Sequence, residues 1–142
     1  MKFVTLCLAL VVAALGAVGW AAQDRPNFSG TWISVGPEQG IRELTLKQDD
    51  VTLTLEGQPD VTKRTFKLDG SETEMSAPDG KPLRAKAAWV GKSLVITIHF
   101  PELKQDIRRL TWTMDADGQL VMETEFLGGK PEPPHKNVLK RR

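Results

Sequence analysis

Covalent and metal chemistry need nucleophiles, histidines or carboxylates held close together, and this sequence keeps them apart. It has two histidines, His99 and His135, one cysteine, Cys7, and no tyrosine. His99 alternates with Val95 and Thr97, opposite the apolar face of its segment, which makes it a surface residue. Glu123 and Glu125 alternate with apolar residues in the same way and form a solvated face rather than an acid/base pair. Ser71 and Ser93 fall in turns. Asp115-x-Asp117-Gly118 resembles the start of a calcium loop, but a hairpin needs the same residues and no further ligands follow. The expectation is a protein that is not an enzyme, with no catalytic residue, metal or cofactor.

Arginine carries the chemistry that remains. Arg42 shares the alternation parity of Leu44 and Leu46, Arg64 that of Phe66 and Leu68, and Arg108 that of Leu110 and Trp112. All three would face the inside of a β-structure, each near the start of its strand. Guanidiniums gathered at one apolar opening are costly without an anion, and they hold carboxylates by charge-assisted hydrogen bonds. The expected ligand site is therefore Arg42, Arg64 and Arg108 with Phe66 and Trp89, binding a small apolar or amphipathic, fatty-acid-like molecule. The plainer outcome is that the arginine stems line the wall and their heads reach water.

The elements that must place these residues are strands. Beyond the N-terminal apolar run, no segment holds helical spacing for more than one turn, and period-two alternation predicts nine strands. They are 30–35, 41–47, 51–56, 61–69, 72–76, 83–90, 93–100, 105–115 and 119–127. Their connections alternate in kind. Tight turns ("QDD" at 48–50, "DGS" at 69–71, "GK" at 91–92, "DADG" at 115–118) alternate with Pro-containing loops at 36–40, 57–60, 77–82 and 101–104. In a meander, alternate connections lie at opposite ends. The pattern predicts an all-β antiparallel up-and-down barrel of about eight or nine strands, with a closed base and a looped mouth. A two-sheet sandwich uses the same strands.

The ends of the chain differ from its middle. Residues 1–22 have Lys2, an apolar run from Phe3 to Val18 and small residues at Gly19 and Ala21, the marks of a cleaved signal peptide and of a secreted or periplasmic protein. Residues 23–127, the expected barrel domain, carry 13 basic and 17 acidic residues and make no electrostatic case for nucleic acid. Residues 128–142, "GGKPEPPHKNVLKRR", hold five basic residues and one acidic. They read as a Pro-rich basic tail, disordered or extended, open to weak contact with an anionic envelope surface. The barrel is expected to be a monomer.

The opening stretch Asn27-Phe28-Ser29-Gly30-Thr31-Trp32 resembles the Gly-x-Trp start of the lipocalin and fatty-acid-binding families, the calycin barrels. It is similar to small secreted bacterial lipocalin-like proteins whose mature chains open with "NFSGTW". The resemblance implies that Phe28, Gly30 and Trp32 plug the barrel base and touch no ligand. It also implies an arginine from a late strand lying over the tryptophan. The bottoms of the last two predicted strands carry Trp112, Met114 and Leu120 instead. Either the barrel holds a small molecule, or its core is filled by side chains and the protein is an interaction or structural module. The leader makes the first testable statement: N-terminal sequencing of exported protein is expected to recover Ala22 or Gln23 as the first residue, and recovery of Met1 would contradict it.

Overall fold

The computed structural model describes residues 24–36, 42–57 and 63–142. The leader expected at residues 1–22 lies outside the described residues. Ten strands follow in chain order: β1 Gly30–Ser34, β2 Glu43–Gln48, β3 Thr52–Glu56, β4 Arg64–Lys67, β5 Asp69–Ser76, β6 Pro82–Val90, β7 Ser93–Phe100, β8 Gln105–Met114, β9 Leu120–Phe126 and β10 His135–Arg141. A single 3₁₀ turn, Pro101–Leu103, is the helical element among the described residues. Period-two apolar spacing gives each strand one face to bury, and here the sheet covers that face by wrapping on itself. Leu94, Ile96 and Ile98 alternate inward along β7, and Leu83, Ala85 and Ala87 along β6.

The strands form one sheet in the order β4-β3-β2-β1-β10-β9-β8-β7-β6-β5, every neighbour antiparallel. One sheet that curls into a nearly closed barrel replaces the sandwich alternative. The edges of the sheet are β4 and β5, consecutive in the chain and joined through Leu68. They meet along a seam where Lys67 N–H reaches the Thr73 side-chain oxygen at 3.3 Å rather than a ladder partner. The turn here falls earlier than the expected "DGS". Leu68 stays inside the wall at 7 % exposure, so the chain reverses at that residue. Asp69 and Gly70 then open β5, with a register shift between Asp69 and Glu72.

The largest departure from the sequence reading is the C-terminal segment. The stretch 128–142 is not a free tail, because His135–Arg141 forms β10 and pairs with both β9 and β1. Its prolines, Pro131, Pro133 and Pro134, are confined to the preceding loop, where a missing N–H breaks no ladder. Leu139 is fully buried, and Arg142 lies 3.2 Å from Glu43. The strand is held by backbone hydrogen bonds on both sides more than by apolar burial, which explains why hydrophobic spacing does not announce it.

β10 also supplies the missing arginine. Trp32 is fully buried at the closed end, and its indole N–H donates to the Phe28 carbonyl at 2.8 Å. The Arg141 guanidinium carbon lies 4.5 Å from the centre of the Trp32 ring, and its nitrogens donate to the carbonyls of Ser29 and Asn27. Gly30 has φ +137°, and a Cβ there would stand 2.8 Å from an Arg141 nitrogen. Glycine is therefore required both by its backbone and by the approach of Arg141. Gln48 fixes the incoming segment by accepting from Phe28 N–H at 2.9 Å. Phe28 stacks on Trp89 at 5.8 Å and meets Trp112 edge-on at 6.3 Å.

Two measurements follow from the base. Trp32→Ala should cost about 3–5 kcal/mol, as for a buried large aromatic, and Arg141→Ala about 1–2 kcal/mol from its stacking and carbonyl contacts. Unchanged denaturant midpoints would contradict this account. The base turns carry a pH signature as well. Backbone N–H groups of Val51 and Thr52 donate to Asp49 and hold its carboxyl below the usual 3.8. The stability it adds is full above that value and lost as pH falls through the lowered native one. An NMR titration should find the Asp49 midpoint below 3.8, and wild type should weaken relative to Asp49→Asn only in that acid window.

Candidate functional site

Strand direction decides what gathers at the open end. β4, β6, β8 and β10 all descend from the mouth, so their first residues line it. A cavity of about 330 Å³ opens there, walled by Ala77, Leu83, Ile98, Phe100 and Ile107, with Arg64 and Arg108 among its lining. A second cavity of about 270 Å³ lies in the seam between β4 and β5, lined by Phe66, Met75 and Glu74, and Arg64 borders both. Leu83 and Ile98 keep 9 % and 5 % exposure in the mouth cavity, while Ala85 and Ile96 beneath them have none. The mouth is therefore a cup over a packed floor.

Arg64 is brought inward by the parity of Phe66, as the alternation implies. Arg108 faces the same cup by the parity of Leu110 and Trp112, opposite Ile98, and a β-bulge just beyond it adds Ile107. Ile98 pairs with Arg108 but His99 with Asp106, so Ile107 is left over, and both Ile107 and Arg108 line the cavity. Arg108 lies over the Phe126 ring at 5.3 Å. Among the described residues, neither the Arg64 nor the Arg108 guanidinium has an ion pair or hydrogen bond. Asp79, the carboxylate in the cavity lining, lies 4.0 Å from Lys81, which itself sits 5.8 Å from the Phe100 ring. Two guanidiniums thus stand over an apolar wall, each without a protein counter-ion among the described residues.

The other expected site residues are placed differently. Arg42 is exposed and lines neither cavity, although its carbonyl accepts from Ser34 N–H at the mouth end of β1. Trp89 is not at the mouth. It sits at the closed base between Phe28 and Arg25, whose guanidinium carbon lies 5.5 Å from its ring. Its indole closes to within two residues of the Gly91-Lys92 turn, and that height puts it beyond reach of the cup. Phe66 is buried at 4 % exposure and faces the seam cavity. Sequence reasoning missed Lys81, Phe100 and Ile107, and it missed His135, which β10 brings edge-on to Phe126 at 5.4 Å. The Trp112 indole N–H is buried with no hydrogen-bond partner among the described residues.

The outer wall carries the histidine that could have meant catalysis. His99 Nδ1 lies 3.0 Å from Asp106 on the solvent face, in a groove that also holds Arg84 and Lys86, both paired with Glu72. Among the described residues no three His, Cys, Asp or Glu side chains gather to hold a metal ion.

Among the described residues, ten antiparallel strands with almost no helix and a plugged base form a nearly closed barrel of the calycin-like fold. Solved structures share this fold. A mutant of the fluorescent protein UnaG superposes with a TM-score of 0.62 at 19 % identity, over 80 % of this chain and 95 % of that one. Zebrafish ileal bile acid-binding protein in complex with cholic acid gives 0.60 at 18 % identity, over 81 % and 98 %. A fatty acid transporter designated REP1-NXSQ gives 0.60 at 15 % identity, over 80 % and 95 %. No family profile matches the sequence, and no curated protein sequence matches it.

Proposed function

We propose that this protein is a non-catalytic, extracytoplasmic binding protein for a small amphipathic anion, held by its head at the barrel mouth. The observation that carries the reading is the pair of guanidiniums, Arg64 from β4 and Arg108 from β8, without counter-ions among the described residues on two walls of one apolar cup. A carboxylate, sulfate or phosphate monoester would occupy the space between them, with its apolar part against Leu83, Ile98, Phe100 and Ile107. Two fold neighbours, a bile acid-binding protein in complex with cholic acid and a fatty acid transporter, are proteins for ligands of this class. The apolar leader at 1–22 supports the extracytoplasmic part.

A filled-core interaction module is the competing reading, and the packed base favours it. Its mark would be the absence of saturable binding for any alkyl anion. Calorimetric titration with octanoate separates the two. Saturable binding is expected, and Arg64→Gln or Arg108→Gln should each weaken it by about 1.5–3 kcal/mol. Each replacement should leave stability within about 0.5 kcal/mol, because rim arginines contribute little to folding. Binding indifferent to both replacements would overturn the proposal.

A further inference from the structure

The depth of the cup limits what can lie in it. Along β7 the inward residues descend from Phe100 at the rim through Ile98 in the wall to Ile96, which is fully buried. Ala85 on the neighbouring strand is fully buried as well, and it pairs with Ile98. Below this level Ala87, Leu94, Leu46, Leu53 and Leu120 have between 0 % and 1 % exposure, so side chains fill the lower barrel. The aromatic cluster of Phe28, Trp32, Trp89 and Trp112 closes what remains. From Phe100 to Ile96 is four residue steps, and with ordinary strand rise and barrel tilt that gives a depth of about 10 Å. An extended chain advances about 1.2 Å per bond, so the cup accepts roughly eight carbons.

We infer that the mouth selects amphipathic anions with a short or compact apolar part and leaves longer chains projecting into solvent. This rests on the anion-binding reading of Arg64 and Arg108 and adds a length limit set by different residues. The head is fixed at the rim by the two guanidiniums. The floor is Ala85 and Ile96, with Leu110 beside Ile96 on β8, one inward step below Arg108. A tail that reaches this floor gains nothing from further methylenes unless the packed lower half opens. The fold neighbours do not decide the matter, since the limit depends on these side chains alone.

The test is a series of straight-chain n-alkanoates from butanoate to hexadecanoate, titrated into the full chain below their micellar concentrations. Affinity should rise about fourfold per added methylene, then level off near eight carbons, with longer acids binding within twofold of one another. Arg108→Gln should lower every member of the series by a similar factor. Leu110→Ala, which deepens the floor, should leave short acids unchanged and move the plateau to longer ones. Should that variant fail to fold, the wild-type series still decides. A rise that continued steadily to hexadecanoate would overturn the limit while leaving the arginine site intact. No binding at any length would end the anion-binding reading, and the limit with it.

Discussion

One cation–aromatic contact joins the two ends of the described chain and sets the character of the barrel. Arg141 lies over Trp32 and holds the carbonyls of Asn27 and Ser29, so the last strand and the first segment close the base together. Sheet edges expose unpaired backbone groups, and pairing β10 with β1 removes two of them at once. The edges that remain, β4 and β5, are tied at Leu68 and open toward the mouth. A plugged base is a filled base. Because the indoles and Phe28 fill the inside of that end, the cavity there, bordered by Asp24, Arg25, Asp49 and Trp89, lies outside the plug, while the cup bordered by Arg64 and Arg108 lies at the other end, where descending strands begin.

Much of this was legible from alternation. Nine of the ten strands follow from period-two spacing, and the division of connections into tight turns and Pro-containing loops assigns them to the two ends. β10 escaped because its inward positions are His135, Asn137, Leu139 and Arg141, of which one is apolar. Its presence was nevertheless implied by the loop rule. Residues 127–134 are one more Pro-rich connection after an ascending strand, the kind that leads into a descending strand at β6 and β8. The missing plug arginine and the supposed tail were one misreading, since the arginine lies in the tail.

Side-chain parity and height along the strand are separate facts, and the site depended on both. Parity put Trp89 among inward residues, but two positions before the Gly91-Lys92 turn it belongs to the base. The same bookkeeping worked for Arg64, at the first position of β4. It worked for Arg108 too, which stays in step with Leu110 and Trp112 opposite Ile98, Ile96 and Leu94; the bulge that alternation does not reveal lies beyond it and brings Ile107 to the lining. Arg42 shows the opposite limit. Beyond the last ladder pair of its strand, Glu43 with Ile33, parity no longer dictates direction, and the side chain is exposed.

The central claim is that an anion is held between Arg64 and Arg108, over the apolar cup and away from the plug. The most direct measurement follows the arginine Nε–H and tryptophan indole N–H signals by NMR while octanoate is added. The account predicts that the Arg64 and Arg108 signals move together and saturate with one dissociation constant, while the indoles of Trp32 and Trp89 stay in place. Saturable shifts of those base indoles with the two arginines unmoved would contradict it.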